Sequence, residues 1–198
     1  MDPARSGSLS TVTDTDPASF HRSVAAGFTE RVVGADRAGE WGAPAPVEGW
    51  VARDVVRHLL EWFPGFLGSG TGIELPTGPS VDDDPVGAWR TRVDAVQALL
   101  DDPASAGRVL SNPHLGDVPL PEAVSRFYTT DVFMHTWDLA RATGQSEALD
   151  PDLCAELLAG MEPVDELLRS SGQYGPRVDV ADDADPVTRL VAFIGRRP

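Results

Sequence analysis

Apolar side chains recur at a helical period in segment after segment of this chain, and that period restricts the fold more than any other feature. Phe20, Val24, Phe28 and Val32 fall at i, i+4, i+8 and i+12, the spacing that lines one face of a helix. With Asp16-Pro17 as a start signal, they predict a first helix from Pro17 to about Ala38. A second helix from about Val51 to Leu67 places Val51, Val55, His58, Leu59, Trp62 and Phe66 on one stripe, with Pro64 expected to kink it or end it early. Asp84-Pro85 opens a third, with Val86, Trp89, Val93, Val96 and Leu100 inward. A fourth runs from Pro121-Glu122 to about Thr143, before Gly144. A fifth covers about Pro151 to Arg169, and a last apolar stretch spans Pro186 to Ile194.

Between these segments the composition is that of connectors. Residues 40–49, 68–84 and 101–120 are rich in Gly, Pro, Ser and Asp and read as loops. The first sixteen residues hold little to bury and read as an unstructured lead. The expectation is one all-α domain over residues 17–198, a helical bundle with a short C-terminal helical extension.

Charge and cysteine content narrow the function. Sixteen Arg and no Lys against 31 Asp plus Glu give a formal net charge of -15, which repels nucleic acid and anionic membrane surfaces. The absence of Lys removes Schiff-base chemistry. The single cysteine, Cys154, permits neither an internal disulfide nor a thiolate metal cage and reads as a small core residue. No leader pattern and no membrane-length apolar run stand out, so a cytoplasmic setting is expected.

The fourth helix carries the chemistry. Val124, Phe127, Tyr128, Asp131, His135, Asp138, Leu139 and Ala142 share its inner face, so a carboxylate and an imidazole sit on an apolar stripe. Asp131 and His135, four residues apart, point the same way and can grip each other or a common ion. A buried carboxylate is expensive without a partner, and His58 sits on the matching stripe of the second helix. Two imidazoles and a carboxylate from two helices match the donor demands of Zn(II), Ni(II) or Fe(II); a buried ion pair is the plainer alternative. Three residues are candidates to support this site. Asp54, four before His58, would fix its tautomer or serve only the helix dipole. Tyr128 would donate to a bound oxygen or be simple core. Asp138 would back the site or pair with Arg141. His21 and His114 lack neighbours at ligand spacing and read as surface or cap residues. Phe133 and Trp137 face away from the stripe, and their burial calls for the C-terminal tail or a second copy of the chain in a homodimer.

At these residues the chain resembles the DinB-like metal-binding four-helix bundles, and among them the mycothiol-dependent maleylpyruvate isomerase N-terminal-domain group. The resemblance rests on the run from Val47 to Leu59, with Gly49-Trp50, Asp54-Val55 and His58-Leu59, and on the run from Asp131 through His135 to Gly144. Gly175-Pro176 and the ending from Val191 to Pro198 add to it, so it spans nearly all of the chain after the lead. It implies metal ligation by His58, Asp131 and His135, with zinc the first expectation and nickel or iron the others. It further implies a small-molecule substrate or thiol as partner, mycothiol among the thiols, and a transferase or isomerase reaction. Two departures accompany it. The thiol-dependent isomerases carry Glu where this chain has Asp131, and they have a larger C-terminal domain than the segment following Gly144 here. A non-catalytic metal- or ligand-binding module is the alternative, because no general base apart from the ligands is evident.

Overall fold

The computed structural model describes residues 16–170, 172 and 174–198. The expected unstructured lead lies outside them except for Asp16, whose carboxylate accepts from the Ser19 N–H at 3.0 Å and caps helix α1, Pro17–Ala38. Gly39, in the left-handed region at φ 70°, closes it. Helix α2 spans Ala52–Thr71 and α3 Pro85–Asp101, the latter capped by Asp84. A 3-10 turn, Pro103–Gly107, leads to strands β1, Val109–Asn112, and β2, Gly116–Pro119. Helix α4, Leu120–Ala123, continues through a π-helical turn, Val124–Thr129, into α5, Thr130–Ala142. Helix α6, Pro151–Met161, a 3-10 turn Glu162–Val164, α7, Asp165–Ser170, and α8, Pro186–Phe193, complete the chain. The protein is mostly helical, as the periodicity predicts. Among the described residues no helix is long and apolar enough to cross a membrane.

Helices α1 and α2 each pack against both α3 and α5. Phe28, Val32, Val55, Leu59, Phe63, Leu67, Trp89 and Val96 are completely buried among them. Trp89 illustrates the packing: its ring lies 4.5 Å from that of Phe28, and its indole N–H donates to Thr29 at 2.8 Å, so the polar edge is satisfied without leaving the core.

Four sequence expectations are corrected. The early end that Pro64 allowed for is not seen: helix α2 runs through it and past Leu67 to Thr71. Proline cannot donate to the carbonyl four residues back, and that carbonyl, of Leu60, instead accepts from the buried Arg92 at 3.1 Å. The helix survives because a side chain from α3 replaces the lost backbone donor.

Residues 101–120 are not wholly irregular. Strands β1 and β2 pair antiparallel with Leu110 opposite Val118, around a turn closed by Gly116 at φ 74°. Strands of four residues leave no alternation long enough to read from sequence. The expected fifth helix is broken at Glu162–Val164, where Pro163 lacks the N–H needed for an unbroken ladder. His21 is not a surface residue: it is completely buried, with Nδ1 3.0 Å from the Thr129 hydroxyl.

His114 is exposed and Cys154 is buried, as expected. Phe133 and Trp137 are buried within this one chain, Arg141 stacking over the Trp137 ring at 5.1 Å and donating to the Arg197 carbonyl of the tail.

Candidate metal centre

Two helices and a connector deliver the side chains. Asp54 accepts the Val51 N–H at 2.9 Å and so fixes the first turn of α2. One and two turns later that helix presents His58 and Trp62. The connector folds back on the same turn: Ala45 donates to the Trp50 carbonyl and Ala52 to that of Ala43, which holds the Trp50 ring beside His58 and His135. From the opposite side comes α5, whose entry is set by the π-helical turn. The Thr130 N–H there reaches back five residues, to Ser125, instead of four. Asp131 and His135 follow on successive turns.

The three residues singled out from sequence meet. Nε2 of His58 lies 3.2 Å from Oδ2 of Asp131, and Nε2 of His135 lies 3.5 Å from Oδ1 of the same carboxylate. One donor atom from each of the three residues falls within 4.8 Å of the others. A tetrahedral ion with bonds of about 2.0–2.1 Å needs donors about 3.3 Å apart, close to what the two imidazole–carboxylate pairs provide. The set is graded in exposure: the His58 side chain is 33% exposed, Asp131 19% and His135 6%. The group therefore opens on its His58 side and is sealed behind His135.

The sealed side carries a second carboxylate. Oδ2 of Asp138, a completely buried group, lies 2.8 Å from Nδ1 of His135. A carboxylate on Nδ1 leaves Nε2 as the free donor aimed at Asp131, the arrangement that prepares an imidazole for metal ligation. Arg196 closes the chain of charges, its Nε donating to Oδ1 of Asp138 at 3.0 Å and its Nη2 to Oδ2 at 2.9 Å.

These contacts set the protonation of the site. Burial raises the Asp131 carboxyl, but the His135 charge, His58 and the Trp62 hydrogen bond outweigh it and hold the group below the usual carboxylate range. For His135 burial favours the neutral ring, and the two carboxylates overcome it and raise the imidazole. Burial likewise pushes Asp138 up, and His135 with Arg196 bring it below its ordinary value. A cation here would meet one carboxylate and two imidazoles already gathered.

Of the supporting residues expected from sequence, Asp138 touches a member of the trio. Asp54 instead binds the Val51 N–H and Arg57, its cap and salt-bridge roles. The Tyr128 ring stacks on Phe63 at 4.1 Å. Its hydroxyl is buried without a hydrogen-bond partner among the described residues, and burial pushes the phenol far up. Three contributors escaped the sequence reading. Trp62 stands on the inward stripe, but helical spacing does not reveal that its indole N–H donates to Asp131 at 2.9 Å. Arg196 is 58 residues from the aspartate it grips. Tyr174, half-buried in the tail, is pushed up to about 12 by burial and then by the Asp131 charge. Local spacing carries no signal for contacts this distant in sequence.

No family model matches the chain, and no solved structure matches it significantly. Two curated relatives do: the uncharacterized proteins MT0763 and Rv0738, from two strains of Mycobacterium tuberculosis. Each is 31% identical over 169 residues, covering 81% of this chain and 87% of the relative. At that identity and coverage, the chain belongs to the same family as these two mycobacterial proteins.

Proposed function

We propose that this protein is a DinB-like helical bundle that binds one divalent metal through His58, Asp131 and His135, and that it is a metal-dependent enzyme of the thiol-dependent transferase or isomerase type. The observation that supports this reading is the convergence of three donor atoms from α2 and α5 within 4.8 Å, with Asp138 behind His135. Two neutral nitrogens and one carboxylate favour zinc, with nickel or iron as the other candidates. A bound cation supplies Lewis acidity, lowering the pKa of a thiol or polarising a substrate carbonyl. The protein's own groups orient and enclose: Trp62 holds the Asp131 carboxylate, Trp50 covers both imidazoles, and the exposed side of His58 leaves the approach for a small molecule, a low-molecular-weight thiol such as mycothiol among them. Metal analysis of wild type and His135→Ala tests the centre. Stoichiometric metal in wild type and loss in the variant support it; equal, negligible metal in both refutes it.

One observation favours a non-catalytic binding module instead. The three supporting residues expected from sequence are engaged or sealed: Asp54 caps α2, the Tyr128 hydroxyl is completely buried, and Asp138 is held by Arg196. A thiol-transfer screen on metal-loaded protein separates the readings, metal-dependent product indicating the enzyme and its absence the module.

A further inference from the structure

The tail from Tyr174 to Pro198 docks beside α5 through a defined set of contacts. Gly195, at φ 89°, terminates α8 in the left-handed region and passes so close to Gly175 that a Cβ there would meet its backbone at 2.9 Å. That turn sends the next residue back along the helix: the Arg196 N–H donates to the Val191 carbonyl at 2.8 Å, and Nη1 to the Ile194 carbonyl at 2.9 Å. The guanidinium, only 12% exposed, then meets the Asp138 carboxylate edge-on, Nε on Oδ1 and Nη2 on Oδ2. A two-point grip of this kind fixes the plane of a carboxylate as well as its position. The oxygen held by Nη2 is the one facing Nδ1 of His135 at 2.8 Å.

We propose that Arg196 is a positioning residue of the candidate centre: by locking the Asp138 carboxylate it orients the His135 ring, so that Nε2 is presented to Asp131 and His58. The inference rests on the metal reading and extends it, because it makes the C-terminal tail part of the centre. Arg141, which also ties down the tail through the Arg197 carbonyl, does not touch Asp138 and serves as a control for docking alone.

The test is a cobalt(II) titration of the full chain, following affinity and the d–d spectrum, for wild type, Arg196→Met, Arg196→Lys and Arg141→Met, with circular dichroism reporting the fold. Loss of an outer partner of a ligating histidine typically costs about 10- to 100-fold in metal affinity. That loss and an altered spectrum are expected for Arg196→Met, partial rescue for Arg196→Lys, which restores the charge without the fork, and no change for Arg141→Met. Cobalt binding by both Arg196 variants identical to wild type overturns the inference. If wild type takes up no cobalt, the metal reading itself fails. Nitrogen-15 shifts of the His135 ring in metal-free protein, recorded at a pH high enough for the raised imidazole to be neutral, then decide the positioning role. A single Nδ1-protonated tautomer in wild type that becomes mixed in Arg196→Met sustains it; the same tautomer in both overturns it.

Discussion

Trp62 reaches from α2 to α5 and donates its indole N–H to Oδ2 of Asp131 at 2.9 Å, the same oxygen that Nε2 of His58 approaches at 3.2 Å. A hydrogen bond to an ionised carboxylate contributes about 1.5–3 kcal/mol, and Asp131 is partly open to solvent, so the lower end applies. Trp62→Phe keeps most of the ring and removes the donor. Urea unfolding of metal-free protein at pH 7 is expected to show a loss of about 1–2 kcal/mol. The Asp131 carboxyl is depressed in the folded state, so its contribution is present above the unfolded carboxylate pKa and fades as pH falls through the folded value. The difference between wild type and variant should therefore shrink in acid.

Arg92 and Pro64 form a compensating pair, since the Leu60 carbonyl that proline leaves free is taken by the guanidinium. Arg92→Leu strands that carbonyl and is expected to cost about 1–3 kcal/mol. Pro64→Ala supplies a backbone N–H to the same acceptor and should rescue most of the loss. In a double-mutant cycle by chemical denaturation the two substitutions should be non-additive by about 1 kcal/mol; strict additivity would show that the carbonyl does not couple them.

His21 makes the protein acid-sensitive. Burial, and then the neighbouring Arg22 charge, lower its imidazole to about 4. The unfolded chain binds a proton there near pH 6.5 and the folded chain does not, so stability rises with pH between the two values. That difference between folded and unfolded chain corresponds to about 3 kcal/mol lost between pH 7 and pH 4. His21→Gln should flatten that limb of the stability profile, measured by thermal unfolding across the range.

Gly195→Ala combines a left-handed backbone with a contact of 2.9 Å to the Gly175 backbone. Neither partner is a side chain that can swing aside, so a cost of at least about 1 kcal/mol is expected. At this chain length that lowers Tm by about 2–4 °C. Hydrogen exchange should localise the loosening to α8 and the segment it packs on.

Helix α1 was legible to its ends because its signals are local: Asp16 and Pro17 start it and Gly39 stops it. His58, Asp131 and His135 were legible as a group for a related reason, polar residues standing on apolar stripes, which helical spacing exposes directly. Contacts between distant segments were not legible. Nothing near Pro64 announces that Arg92, 28 positions later, will replace its missing donor. Nothing near His21 announces that Thr129 will lie 3.0 Å from its ring, 108 positions away. Asp54 shows the complementary limit: a carboxylate four residues before a histidine suggested a partnership, and the start of the helix claimed it instead.

The π-helical turn at Val124–Thr129 stands between the hairpin and the carboxylate of α5. A turn that closes over five residues holds one more than its neighbours, and each residue of regular helix advances about 100° around the axis. Deleting a single residue from this stretch would turn it into an ordinary turn and leave the two flanking halves nearly in phase. A further inserted residue would not be absorbed and would swing whichever half is less firmly anchored by about 100°. Either Tyr128 would leave its seat on Phe63 or Asp131 would turn away from Trp62, so insertions harmless in the surrounding loops would be felt here at the heart of the molecule.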